Sequence, residues 1–164
     1  MAAIPDRFDL WVRKARQEAV PERQVDLLLG SLFALRDWYF LNRESEDRPE
    51  PAMVDLQGET HLLVFSEAGR VNDFAEESGL CQCGDRAEFF SVPALKAAEY
   101  CRRFRAVGAA GILVNPGDHA FAVTLDGLEE FDRQWRERGA RAGEGFWIPN
   151  MTSEEEDFWQ EHGL

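Results

Sequence analysis

Apolar residues in the first part of the chain recur three and four positions apart, which is the spacing of an amphipathic helix. One such stripe runs from residue 7 to residue 19, and a second follows Pro21. Proline can begin a helix because its missing N–H would have no partner there. The two stripes are Phe8, Trp11, Val12, Ala15 and Ala19, and then Val25, Leu28, Leu29, Leu32 and Phe33. They predict an N-terminal helical hairpin over residues 1–36.

From Asp37 onward the pattern changes to short apolar runs separated by polar or glycine-containing breaks, which is typical of strands. The runs lie at 38–41, 52–56, 61–65, 88–92, 111–114 and 121–125. We expect 88–92 to be a short buried strand. Pro116 and Gly117 suit the middle of a type II turn, because Pro fixes φ near −65° and Gly accepts positive φ.

Helical spacing returns between these runs and after the last of them. Ser66 stands where it would cap a helix over 67–78, Pro93 begins another, and Asp126 with Glu129 resembles a capping box. A short acidic helix is expected near Ser153. The order predicts an α+β fold: a single domain over 1–139, with a mixed, partly antiparallel sheet of about five or six strands covered by helices. Residues 37–139 form its core, and 140–164 form a C-terminal loop and helix.

The chain is long enough for one domain and apolar enough to fill its core, with 164 residues, 45% hydrophobic and 12% aromatic. Its 31 Asp and Glu against 18 Lys and Arg leave a net charge of −13. Such a surface repels phosphate, so nucleic acid and anionic membranes are not expected partners, whereas a basic protein is. A strongly acidic charge also serves solubility in many bacterial cytosolic proteins. The N-terminus has no secretory signal pattern, and we expect a cytoplasmic protein without a membrane span.

The three cysteines do not form a disulfide framework or a complete metal motif. Cys81 and Cys83 could begin a zinc site or a redox pair, but structural zinc normally takes four ligands. Cys101 falls on the apolar side of a predicted helix. We therefore interpret Cys81 and Cys83 as loop residues, and we expect no cofactor.

No catalytic motif is evident. Ser66 lies between a strand and a helix, yet Phe65 and Glu67 stand where a nucleophile elbow needs glycines. Acidic runs at 76–77, 129–130 and 154–157 fall on predicted exposed helix faces or first turns. An enzyme would need the fold to bring Ser66, His61 or His119 beside carboxylates in one cleft.

Several pieces of the chain resemble the N-terminal domain of the SseB family, of the enhanced serine sensitivity type. They are Leu-Leu-Val-Phe-Ser at 62–66, a following helix, Gly-Ile-Leu-Val-Asn-Pro-Gly at 111–117, and Phe-Ala-Val at 121–123. The resemblance covers about Trp38 to Trp135. It implies a small α/β module without established catalytic chemistry, associated with regulation, secretion or toxin–immunity systems. The residues that match are Phe65, Asn115, Pro116 and Gly117, and their implied role is structural.

The C-terminal segment combines large aromatic side chains with an acidic run. Its candidate interaction residues are Trp147, Glu154, Glu155, Glu156, Phe158 and Trp159. The segment either folds back to cover the sheet or the N-terminal helices, or presents aromatic anchors ringed by acid to a basic partner. A homodimer formed through it would satisfy both interpretations.

Our leading hypothesis is a non-enzymatic protein-interaction module of the SseB-like type, in a regulatory, secretion-accessory or immunity role. Two alternatives remain open at this point. One is a small-molecule-binding or enzymatic domain whose site is scattered in sequence, and the other is a structural homo-oligomer.

Overall fold

A computed structural model describes residues 7–43, 49–80, 87–117, 119–138 and 147–162, and it has the predicted α+β architecture. The elements within these residues, in chain order, are α1 (Arg7–Gln17), α2 (Pro21–Phe33), β1 (Asp37–Leu41), β2 (Met53–Leu56), β3 (Glu59–Val64), α3 (Ala68–Glu77), β4 (Phe89–Pro93), α4 (Ala94–Arg102), a 3₁₀ helix (Arg103–Val107), β5 (Ala109–Val114), β6 (Phe121–Thr124), α5 (Leu125–Glu137) and α6 (Ser153–His162). None of these helices is both long and apolar enough to span a membrane.

The six strands form two sheets rather than the single sheet expected from the sequence. Four strands pair in the order β2-β3-β5-β6, and β1 pairs with β4 in a separate antiparallel ladder. Only β3 and β5 are parallel among these described strands. Mutual backbone hydrogen bonds of 3.0 and 2.8 Å between Tyr39 and Phe65 link the two sheets. A parallel pair requires a crossover, and α3, β4 and α4 lie in the chain between β3 and β5.

The larger core lies between one face of the four-stranded sheet and four helices. Alternate residues of β3 and β5, such as Leu62, Val64 and Ile112, point into it. Helices α1, α2, α4 and α5 supply the opposing side chains, and Trp11 and Trp135 are among the largest buried ones. The other face carries a smaller cluster in which Leu63 and Phe65 pack with Val71 and Ala75 of α3. The two sheet faces are therefore covered unequally.

Gly111 is required where β5 passes between its neighbours. A β-carbon there would overlap the carbonyl oxygen of Val123 and lie 3.1 Å from Cδ2 of His61. His61 is buried, and its Nδ1 lies 3.1 Å from the carbonyl oxygen of Glu59. The imidazole therefore packs against the sheet on the side that glycine leaves free.

Strand β4 is not the buried strand that we expected over 88–92. Its residues alternate between exposed and half-buried, and Phe89 is 40% exposed. The reason is its position, because β4 pairs only with β1 in a two-stranded sheet. In α2 the buried face also differs slightly from the predicted stripe: Leu27 is buried, whereas Val25 is exposed.

Two predicted helix caps are wrong. Helix α3 begins after Glu67, with no side-chain cap, while the Ser66 hydroxyl accepts a hydrogen bond from Asn115 instead. Helix α5 begins after Thr124, whose hydroxyl accepts from the N–H of Gly127 at 3.0 Å, so Asp126 lies inside the first turn. The Ser66 hydroxyl is thus bonded to a residue that is distant in sequence, and the cap of α5 comes from a residue two positions before Asp126.

Candidate functional site

The C-terminal helix α6 packs against α1 through aromatic side chains. The ring of Trp11 is fully buried, and it contacts the rings of Phe158 and Trp159 at centroid distances of 4.7 and 5.6 Å. Lys14 Nζ lies 4.7 Å from the centroid of the Phe158 ring. Phe158 and Trp159 are only half-buried, so this seam between α1 and α6 remains partly open to solvent.

The stretch before α6 packs against α5. Trp147 contacts the ring of Phe131 at 6.1 Å, and Ile148 beside it is fully buried in the larger core. The three aromatic residues of the candidate surface, Trp147, Phe158 and Trp159, therefore all contact the body of the protein. Their remaining exposure is partial.

Glu155 is placed in the interior and is 5% exposed. It completes a capping box with Thr152: the N–H of Glu155 donates to Thr152 Oγ1 at 3.2 Å, and the N–H of Thr152 donates to Glu155 Oε2 at 3.1 Å. Arg23 of α2 binds both carboxylate oxygens of Glu155, with Nε 3.1 Å from Oε1, and also donates to the carbonyl oxygen of Pro149. The Thr-x-x-Glu spacing at 152–155 is a sequence signal for this cap, but nothing in it indicates Arg23.

Asp26 lies near this ion pair. Burial raises the pKa of Asp26, the Arg23 charge partly offsets the rise, and the Glu155 charge adds to it. The Arg23 guanidinium therefore binds Glu155 and also acts on Asp26 through its charge, at the junction of α2 and α6.

Glu154, Glu156 and the adjacent Asp157 are exposed on the outer face of α6. Their side chains make no ion pair or hydrogen bond with any described residue. The structure therefore divides the predicted surface into three parts: half-buried aromatic residues, an internal Glu155, and an outward-facing acidic set. We call Glu154, Glu156 and Asp157 the α6 acidic face.

The matched motif at 115–117 lies at the carboxyl ends of the parallel strands β3 and β5. Asn115 is 3% exposed and adopts a positive φ of 47°. Its Nδ2 donates to Ser66 Oγ at 2.9 Å, and its Oδ1 accepts from the N–H of Ser66 at 2.9 Å. Gly117 has a φ of 135°, which glycine tolerates. The pair Asn115–Ser66 ties the two strand ends together.

Ser66, His61 and His119, the residues that an enzyme would need to bring together, are not joined to one another by any hydrogen bond among the described residues. The described hydrogen-bond partner of the Ser66 side chain is an amide, not an imidazole. His61 precedes Ser66 by five residues on an extended strand, a separation of roughly 16 Å at ~3.3 Å per residue. His119 lies in the connection between β5 and β6, half-buried.

Cysteine chemistry finds no support in the described part of the chain. Cys101 is fully buried in the larger core, and burial raises the pKa of its thiol, so it is held protonated. Cys81 and Cys83 lie outside the described residues. Among the residues that are described, no group of three or more His, Cys, Asp or Glu is placed to hold a metal ion.

No family model matches the chain, and no curated protein matches it either.

Proposed function

We propose that this protein is a non-enzymatic interaction module of the SseB-like type, and that the α6 acidic face binds a basic protein partner. The observation that carries the proposal is the contrast within one helix. Glu155 has a dedicated arginine, whereas Glu154, Glu156 and Asp157 have no cation among the described residues. No described cation offsets their mutual repulsion, and a basic surface on another protein would do so.

The way α6 is held supports the proposal. The buried Arg23–Glu155 pair and the contacts of Trp11 with Phe158 and Trp159 fix the helix at both ends of its length. An anchored helix presents its charges without an ordering cost on binding. The half-exposed rings at its seam supply apolar surface beside the acid, a combination that suits a protein interface.

The resemblance of 38–135 to the SseB family supports a regulatory, secretion-accessory or immunity setting for that interaction. It supplies no catalytic residues for the positions that match. The proposed binding surface lies beyond the matching region, in α6, and so the proposal rests on the charges and contacts of this chain.

The test is affinity capture from lysate of the native host at low and at high salt, with three forms of the full chain. The first is unchanged, and the second carries Glu154→Lys, Glu156→Lys and Asp157→Lys. The third is a matched control with the same charge change, Glu22→Lys, Glu76→Lys and Glu88→Lys, at exposed positions outside α6. Glu155 is left unchanged because its loss would disturb the fold.

We expect one basic protein to be recovered in stoichiometric amount at low salt, lost at high salt, and lost with the α6 variant but not with the control. Binding of the purified partner, measured by calorimetry, must show the same order. Equal recovery by both variants would contradict the proposal. A mass by light scattering well above 18.7 kDa, together with no captured protein, would instead favour a homo-oligomer.

A further inference from the structure

A cleft of about 280 Å³ opens at the carboxyl ends of the parallel strands β3 and β5, and no residue of α6 lines it. Helix α3 contributes Phe74, Asp73 and Glu77 to its lining, and the turn after β5 contributes Asn115 and Gly117. In open α/β sheets, ligands bind in the crevice beyond the carboxyl ends of the strands. This cleft therefore lies where α/β sheets commonly bind ligands, and its lining decides which ligand would fit.

The charges around the cleft are mostly negative. Arg70 lines it, but its guanidinium lies 2.7 Å from Asp9 and 3.8 Å from Glu67. Asp73 and Glu77, one helical turn apart, are exposed, and no described residue forms an ion pair with them. Asp9 and Glu67 therefore offset the charge of Arg70, and the cleft lining itself carries two carboxylates against this one guanidinium. An anion entering the cleft would meet a neutralised arginine and two free carboxylates.

The acidic side chains also stand at the unfavourable end of their helix. Glu77 is the last residue of α3, and the last turn contains no basic residue. Negative charge at a helix C-terminus opposes the helix dipole. Where local sequence preferences are broken without compensation inside the fold, a functional site is a common reason. A bound cation would offset both the dipole and the mutual repulsion of the carboxylates.

The remaining lining favours an organic cation over a bare metal ion. Phe74 is half-buried and lines the cleft, and it packs on the buried Phe65 with ring centroids 5.6 Å apart. Aromatic faces attract ammonium and guanidinium groups, whereas a metal site needs more oxygen ligands than two carboxylates. The described residues also contain no metal-binding cluster here.

We propose that this cleft binds an organic ammonium or guanidinium group, carried either by a free small molecule or by a side chain of a basic polypeptide. Asp73 and Glu77 pair with the charge, and Phe74 contacts the apolar or planar part of the group. The proposal is independent of the function assigned to α6, because it involves different residues on another face.

The test is an NMR titration of the ¹⁵N-labelled full chain with arginine amide, and with citrulline amide as the neutral analogue of the same shape. We expect saturable shifts of the backbone amides at 70–77 and 115–117 with arginine amide only. Asp73→Asn with Glu77→Gln should weaken binding at least about tenfold, the amount expected for loss of a charge-assisted contact. Glu22→Gln with Glu88→Gln makes the same charge change at exposed positions outside both proposed surfaces and should leave binding unchanged.

Phe74→Leu provides a second variant that keeps the charge and most of the apolar contact but removes the ring, and it should weaken binding less than the double variant. A blocked Gly-Arg-Gly tripeptide separates the two sources: tighter binding than arginine amide assigns the cleft to a polypeptide side chain, and weaker binding assigns it to a small molecule. Absence of saturation with either cation would overturn the proposal. Equal shifts with citrulline amide, or unchanged affinity in a folded double variant, would also overturn it.

Discussion

Helices α5 and α6 each carry five acidic residues, but the two helices differ in how many of these residues pair with arginines. On α5 the acids face arginines across the groove to α4 and along the helix itself. The pairs with their distances are Arg102–Glu129 at 3.2 Å, Arg105–Asp126 at 2.9 Å, Arg133–Glu130 at 2.6 Å and Arg136–Asp132 at 3.1 Å. On α6 a single arginine, Arg23, binds a single carboxylate, Glu155.

The number of acidic residues on a helix therefore does not decide whether its surface can attract a basic partner. What decides it is whether those carboxylates already form ion pairs within the protein. The α5 groove has a volume of about 550 Å³, larger than the cleft beside α3, yet most of the acids that line it are paired with arginines. A partner would have to displace internal ion pairs there. At the α6 acidic face no ion pair with a described residue would have to be displaced, which is why we propose α6 as the binding surface.

The largest expected effect on stability concerns how deeply α5 and α6 are packed. Phe131 of α5 is 3% exposed and contacts Phe33 and Trp147, whereas Phe158 of α6 is half-buried. We expect Phe131→Ala to lower the free energy of unfolding by about 3–5 kcal/mol and Phe158→Ala by less than half of that, because less surface is lost. Urea denaturation followed by circular dichroism measures both. Equal losses would mean that α6 is as integral to the core as α5.

The next effect concerns the single internal ion pair of α6. Arg23→Ala leaves Glu155 buried without a counter-charge, and we expect the free energy of unfolding to fall by about 3 kcal/mol, near the lower end for broken buried pairs because Arg23 keeps some exposure. Hydrogen exchange should show the loss concentrated at 152–162. The double variant Arg23→Met with Glu155→Leu serves as control and should recover part of the stability. A double variant weaker than Arg23→Ala would contradict this account.

A smaller effect compares the two helix caps. Thr152→Ala and Thr124→Ala each remove a hydroxyl that accepts the backbone N–H of the third residue of its helix, and each should lower the free energy of unfolding by about 1 kcal/mol. The consequences should differ in extent. Thr124→Ala should lower the stability of the whole domain, whereas Thr152→Ala should raise hydrogen exchange mainly in α6. Uniform exchange changes in both variants would show that α6 unfolds only with the rest.

The smallest expected effect concerns an exposed ion pair on α5. Hydrogen bonds from Arg133 and then Gln134 lower the pKa of Glu130 to about 2. A carboxyl with a lowered pKa stabilises the fold above its ordinary pKa of 4.5 and loses that contribution as the pH falls toward 2. In Arg133→Ala the Glu130 pKa should return toward its ordinary value, as NMR titration of the side-chain carboxyl would show. Because the pair is fully exposed, we expect only a slight effect on stability.

Much of the secondary structure could be predicted from local patterns, and the errors occurred where a distant residue intervenes. Ser66 reads as a helix cap, but Asn115, 49 positions away in sequence, takes its hydroxyl. Strand β4 reads as buried because it is apolar, but its placement in a two-stranded sheet leaves Phe89 exposed. In both cases the residue types fit the predicted element locally, but the sequence does not show the tertiary contacts that made the prediction wrong.

The candidate surface shows the same limit. The sequence singled out six residues of the C-terminal segment but could not separate Glu155 from Glu154 and Glu156, since all three are adjacent carboxylates. Only the position of Arg23, 132 residues earlier in the chain, makes that separation. The cleft beside α3 was not predicted at all, because its lining comes from a helix and a turn that are far apart in sequence.

The sequence by itself therefore determined the periodicity of the helices, the alternation of the strands, the net charge and the absence of a recognisable catalytic motif. These are properties of neighbouring residues, since an element forms from the spacing of its own side chains. Tertiary structure decided which sheet each strand joins, which carboxylates are neutralised and where a concave surface opens. Those outcomes depend on contacts between segments that are distant in sequence, because burial and ion pairing are fixed only once the chain has folded.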